Sequence, residues 1–302
     1  MPPEFPHFKS IQLEDREFIR PRLWEYQPET SELTFTNLFI WRSHYGCTWS
    51  VYKHWLICLF NNGDTPCILQ PIGPAPRQEI TRVLLEWLAK EKAAPPRIER
   101  ADRRFVAEVQ QIDNVRIEPT REHFDYVYRS TDLKTLAGAK YHRKKNHINT
   151  FHRTHSFTYS KLTEKHMKAC MELIEVWCGM RRCEEDMNLL GEWEAIGEIL
   201  AHYQELNVHG GVILLDNKVE AFTIGELLNN KTAVIHIEKA NPEFNGLYAV
   251  MNQQFVENTW NSVPFINREQ DLGVEGLRKA KLSYHPERLV EKFRITLSQS
   301  GR

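Results

Sequence analysis

From residue 49 to residue 60 apolar and polar positions alternate, with Trp49, Val51, Trp55, Ile57 and Leu59 on the apolar phase, which predicts strand. Asn61-Asn62-Gly63-Asp64 predicts a turn into a second strand over residues 66–72, so the pair reads as a hairpin. The period then lengthens to three and four residues at Ile80, Val83, Leu84, Trp87 and Leu88. Residues 77–92 therefore read as a helix, with Pro95-Pro96 just past its end. Short runs at residues 97–99 and 124–128 read as further strands.

The second half opens on a strand over residues 157–160. Thr163 is placed to cap a helix with Met167, Cys170, Met171, Ile174, Trp177 and Cys178 inward, and a second helix covers residues 190–206. Strands follow at residues 211–215 and 220–227, joined by the turn Asp216-Asn217-Lys218, and at residues 233–239. A helix over 246–260, a strand over 264–268 and a short helix over 275–281 complete the order. Strand, helix, helix, three strands, helix, strand, helix is the element order of the GNAT acyltransferase fold, and the first half reads as a degenerate copy. The expected fold is mixed α/β (α+β), two tandem GNAT-like domains. They are a degenerate one over residues 1–135, a basic linker or helix over 136–155, and a domain over 156–302 that carries the active site.

A chain of 302 residues, 41% hydrophobic and 26% charged, has enough apolar content for a substantial core. Its longest clean apolar run, residues 55–60, is far short of the roughly 20 residues that cross a bilayer, and the N-terminus has no secretory pattern, so a cytoplasmic location is expected. The six cysteines form no Cys-x-x-Cys pair and mostly sit among apolar residues, which predicts reduced thiols, no metal site and no disulfide framework. Net charge is −1, but it is unevenly spread. Between Asp132 and Glu164 there is no acidic residue, while Lys134, Lys140, Arg143, Lys144, Lys145, Arg153 and Lys161 are interleaved with four histidines. Such a block suits phosphates of a nucleotide, an RNA or a lipid head group; a solvated helix face is the alternative. Lys140, Arg143, Lys144, Lys145 and Asn146 are the candidates for RNA contact.

The C-terminal third concentrates polar chemistry. Alternation puts His236 and Glu238 on one strand face, and Asn267 and Glu269 share a face of the neighbouring strand. Asp271, Arg278 and Lys281 follow within a few residues, Arg278 and Lys281 three apart on a helix. Acyl transfer needs a proton acceptor, an oxyanion donor and a substrate anchor. Glu238 reads as general base or ammonium partner, or else as one half of an ion pair with Lys239, Arg268 or Lys281. Glu269 and Asp271 suit a cationic amino group, and Arg278 and Lys281 suit a carboxylate, phosphate or oxyanion, or a salt-bridge network fixing the last helix. The catalytic candidates are thus Glu238, Asp271, Arg278 and Lys281, with Asn267, Glu269, Tyr284 and His236 as substrate contacts.

The run Leu136-Ala137-Gly138-Ala139-Lys140-Tyr141-His142-Arg143-Lys144-Lys145-Asn146-His147-Ile148-Asn149, with Ile237-Glu238-Lys239-Ala240 and residues 267–281, resembles an uncharacterised bacterial family related to the C-terminal catalytic domain of phosphatidylglycerol lysyltransferases. The resemblance implies tandem GNAT-like domains shared with the Fem-type enzymes, and an aminoacyl-tRNA donor. It also implies that Asp271, Arg278 and Lys281 match the acidic and basic residues of the aminoacyl site. Acetyltransferases instead carry a glycine-rich loop that cradles the pyrophosphate of coenzyme A at a helix N-terminus. Here Asn241-Pro242-Glu243-Phe244-Asn245-Gly246 keeps one glycine and adds a carboxylate, which disfavours coenzyme A. The expected activity is aminoacyl transfer from aminoacyl-tRNA to an amine or hydroxyl on a small molecule, peptide or lipid head group. An acyl-coenzyme A N-acyltransferase and an inactive ligand-binding protein on the same fold are the alternatives.

Overall fold

A computed structural model describes residues 1–61, 65–91, 95–181 and 186–297. The chain forms two compact units, one of residues 1–125, 270–274 and 289–302 and the other of residues 126–269 and 275–288. This differs from three consecutive blocks. The basic run is a helix inside the second unit, and the chain's last strand belongs to the first.

The first unit carries β1 (Lys9–Ser10), α1 (Arg16–Tyr26), α2 (Phe35–Ile40), α3 (Arg42–Tyr45), β2 (Cys47–Tyr52), β3 (Trp55–Phe60), β4 (Cys67–Leu69), α4 (Gln78–Glu91), β5 (Arg97–Ala101), α5 (Arg103–Val109) and β6 (Val115–Pro119). The long alternating run is two strands. Tyr52 faces Trp55 across a two-residue turn, with Lys53 at φ 52°, and an even-length turn leaves the polar phase unbroken. Of the turn expected at residues 61–64, positions 62–64 lie outside the described residues. Trp55, Ile57 and Leu59 of β3 pack against Ile68 and against Ile80, Leu84 and Leu88 of α4, the face that the helical period selected. Each such fully buried side chain contributes roughly 1.5–3 kcal/mol.

The second unit contains β7 (Asp125–Arg129), α6 (Ser130–Thr135), α7 (His142–Thr154), β8 (Thr158–Lys161), α8 (Glu164–Arg181), α9 (Met187–Ala201), α10 (Tyr203–Leu206), β9 (His209–Leu215), β10 (Lys218–Asn229), β11 (Thr232–Ala240), α11 (Leu247–Thr259), β12 (Phe265–Asn267) and α12 (Glu275–Leu282). From β8 onward this is the expected order, except that the second helix breaks into α9 and α10. The β9–β10 turn has Asp216 at φ 48° and Asn217 at φ 65°, the left-handed pair that a two-residue hairpin demands. The chain closes with β13 (Arg288–Val290) and β14 (Phe293–Leu297).

Among the described residues the strands form two seven-stranded sheets, β1-β2-β3-β4-β5-β14-β6 and β13-β7-β12-β11-β10-β9-β8. Neither sheet is closed by its own half of the sequence. β14 enters the first sheet between β5 and β6, with Ile295 opposite Ile98 and Ile117, and β7 enters the second beside β12. Cys178 is disulfide-bonded, against the expectation of reduced thiols throughout, while Cys47, Cys58, Cys67 and Cys170 are free and buried. Spacing alone does not exclude a bridge, because pairing depends on where the fold brings two sulfurs.

Candidate active site

β11 and β12 run parallel for three residue pairs, Thr232–Phe265, Ala233–Ile266 and Val234–Asn267, and β11 then continues to Ala240. Beyond Val234 the gap on that side is bridged by side chains. The first bridge comes from a bulge. Ile224 faces Ile237 and Gly225 faces Ile235, so His236 is the extra residue. A Cβ on Gly225 would stand 2.3 Å from the Val234 carbonyl oxygen, so the bulge requires glycine. His236 Nε2 lies 3.0 Å from Glu226 Oε1 and Nδ1 2.9 Å from Glu269 Oε1. Burial opposes charge on this ring, but the two carboxylates outweigh it and hold the imidazole at about 9. Both ring nitrogens are thus engaged by carboxylates, which favour its charged form.

The second bridge is Glu238. Its Oε1 accepts from Arg268 Nη2 at 2.6 Å and its Oε2 from Asn252 Nδ2 at 3.0 Å. Of the three cations weighed for an ion pair with Glu238, Arg268 is the one that makes it. Arg268 lies 4.8 Å from the Tyr284 ring and 5.8 Å from the Tyr128 ring. Lys144 lies 4.3 Å from the same Tyr284 ring, so two cations share it. Burial pushes the Tyr284 hydroxyl up to about 12. Burial and then the neighbouring Arg268 lower the Lys144 ammonium.

Lys281 Nζ donates to the carbonyls of Arg268 and Glu269, and the Tyr128 hydroxyl donates to the Lys281 carbonyl at 2.8 Å, so Lys281 ties α12 to the end of β12. Asn267 is fully buried, and its Oδ1 accepts the Glu269 N–H at 2.8 Å. Arg278 is partly exposed on α12. Asp271 belongs to the first unit, where it is fully buried, pairs with Arg121 at 3.2 Å and accepts the Gly273 N–H at 2.8 Å. On the basic segment Arg143, Lys145 and Asn146 are exposed, and Lys140 is exposed with Asp132 3.5 Å away. Among the described residues no group of three His, Cys, Asp or Glu side chains is placed to hold a metal.

Three features escaped sequence reasoning. Arg268 entered only as a possible salt-bridge partner, and Asn252 not at all, because it is one of several polar residues on α11, beside Gln253 and Gln254, and the sequence does not reveal which of them turns inward. Lys144 was grouped with its basic neighbours, although it shares the inward stripe of α7 with Ile148 and Phe151 at spacings of four and three.

Residues 25–296 match the family of the phosphatidylglycerol lysyltransferase C-terminal domain. The chain belongs to this family. A conserved protein of unknown function from Bacteroides thetaiotaomicron is 32% identical, with a TM-score of 0.90 over 98% of this chain and 100% of the other. L-PGS from Bacillus licheniformis is 13% identical, with a TM-score of 0.65 over 95% of this chain and 93% of the other. FemX is 9% identical, with a TM-score of 0.61 over 97% and 98%. An uncharacterised protein of Mycoplasmoides gallisepticum is 20% identical over 177 residues, 57% of this chain, and the chain spans about half (55%) of its length. The two sheets are tandem GNAT-like domains.

In this lysyltransferase-family chain the loop ahead of α11 has its own bonding. Asn241 Oδ1 accepts the Glu243 N–H at 3.0 Å and its Nδ2 donates to Glu220 Oε2 at 2.8 Å, while the Leu247 N–H goes to the Phe244 carbonyl at 3.2 Å. Gly246 caps α11 at φ 95°, where a Cβ would stand 2.9 Å from the His147 carbonyl oxygen. Among the described residues no helix is long and apolar enough to cross a membrane.

Proposed function

We propose that the second unit transfers an aminoacyl group from an aminoacyl-tRNA to an amine or hydroxyl acceptor. The observation that carries the reading is the loop of residues 241–246. Two of the N–H groups that a pyrophosphate cradle would use, those of Glu243 and Leu247, are already bonded within the loop, and the Glu243 carboxylate repels phosphate. Family membership supports acyl transfer, and the gap beyond Val234 supports an acyl group entering between β11 and β12. The exposed Arg143, Lys145 and Asn146 of α7, with Lys140, supply the cationic face for an RNA acceptor end.

The test is direct binding of an aminoacyl-tRNA at low salt beside a thermal shift with acetyl-coenzyme A. The expected result is RNA affinity that falls steeply as salt rises, and no stabilisation by acetyl-coenzyme A. Stabilisation by acetyl-coenzyme A without RNA binding would replace this reading with coenzyme A-dependent N-acyl transfer. Binding of neither sinks both donors.

A further inference from the structure

Three polar groups lie around Glu238 in the second unit, buried Asn252 and half-buried Arg268 and Lys144, and the protein leaves each with unused bonding capacity. Arg268 spends Nη2 on Glu238, and its Nη1 has no hydrogen-bond partner among the described residues. Asn252, 2% exposed, spends Nδ2 on Glu238, and its Oδ1 has no partner there either. Lys144 makes no ion pair among the described residues and rests on the Tyr284 ring. Lys144 and Arg268 bring two positive charges to one aromatic ring, and Glu238 answers one of them. A buried polar atom without a partner costs about 1–3 kcal/mol, so a fold that keeps the Arg268 Nη1 donor and the Asn252 Oδ1 acceptor in this state, beside a lysine without a carboxylate partner, is arranged for a ligand that satisfies them.

We infer that Lys144 and Arg268 receive the carbonyl oxygen of the reacting ester, and that Asn252 Oδ1, held by Glu238, accepts from the α-ammonium of the same aminoacyl group. This rests on the proposed aminoacyl transfer and assigns its acyl subsite. The acceptor's lone pair forms the new bond to the carbonyl carbon, and the carbonyl π pair moves onto oxygen against the two cations. Collapse restores the carbonyl and breaks the bond to the ribose oxygen, which takes up the proton that the acceptor gives up. Charge develops on the carbonyl oxygen only during this step, so preformed donors there stabilise the transition state more than the bound ester. Lys144 thereby parts from its neighbours on α7. Lys145 faces the RNA backbone and Lys144 faces the acyl group.

The probe is an RNA acceptor-stem hairpin bearing lysyl or alanyl through a non-hydrolysable 3′-amide, compared with the same hairpin uncharged. The wild type is expected to prefer the charged hairpin by about tenfold or more. Lys144→Met and Arg268→Lys should each remove most of that preference, weakening the charged hairpin far more than the uncharged one. Lys145→Ala should weaken both hairpins alike and lower the salt slope by about one. Circular dichroism of Arg268→Lys guards against a folding defect at the buried pair, and Lys144→Met, which breaks no ion pair, carries the test if that variant fails to fold. Equal weakening of both hairpins by Lys144→Met would make Lys144 a phosphate contact and overturn the inference. A wild type that binds charged and uncharged hairpins alike would overturn it while leaving RNA binding intact. A wild type that binds neither refutes the proposed function itself.

Discussion

The two units each hold a cluster of charges, and the clusters differ in burial and in completeness. In the first, the Lys292 ammonium is wholly inaccessible and donates to both oxygens of Glu32 at 2.7 Å and to Asp125 Oδ1 at 2.6 Å, with Ser31 and Gln270 at 3.4 and 3.2 Å. In the second, Lys144 and Arg268 keep donor capacity that the protein does not use. Lys292 sits between β13 and β14 and is gripped by residues from far earlier in the chain, so its network fixes where the C-terminal strand goes. A network saturated by its own protein has no capacity left for a ligand; one left open by a donor and an acceptor has. That contrast supports structure for the first cluster and chemistry for the second, although by composition they look alike.

The severest way to break the comparison is to cut the chain. Residues 1–135 expressed alone lack β14, and residues 156–302 alone lack β7, so each fragment loses a strand from the interior of its sheet. Both should show no cooperative urea transition while the intact chain does. A stable 1–135 would mean that Lys292 and β14 are dispensable.

Next in size is a pair of matched substitutions. Lys292→Met leaves Glu32 and Asp125 buried without their ammonium and should cost about 3–5 kcal/mol in urea unfolding. Lys144→Met removes a cation with no carboxylate partner and should change stability by about 0.5 kcal/mol or less. Equal losses in the two variants would erase the distinction between a saturated and an open cluster.

Smallest, and confined to alkaline solution, is the effect of His236. Its folded value of about 9 stands above the ordinary 6.5, so its contribution is fully present below pH 6.5 and is lost as pH rises through 9. The amount is on the order of 3 kcal/mol. Wild-type stability measured from pH 6 to 10 should fall by this amount relative to His236→Gln. Parallel curves would show that the Glu226–His236–Glu269 bridge adds nothing.

Much of both units was legible because the signals are local. Helical stripes placed α4 in the first unit and α8 in the second, and Asp216-Asn217 marked a hairpin turn whose left-handed φ values the structure shows. The two-residue turn at Lys53-His54 was invisible because it preserves alternation, and β14 was missed because its apolar positions say nothing about which sheet will accept them. The candidate residues were legible as residue types only. Which of the three weighed cations pairs with Glu238, the spending of both His236 nitrogens and the membership of Asp271 in the first unit were not.

The sequence by itself determined the element order, the family and the stretch of chain where polar chemistry gathers, because periodicity and motif are properties of neighbours along the chain. Only the tertiary structure decided which charges are spent. Whether a buried donor is satisfied depends on residues brought to it from elsewhere, as Asn252 and Arg268 are brought to Glu238, and Lys144 and Arg268 to Tyr284. That long-range matching separates the saturated lysine of the first unit from the open one of the second.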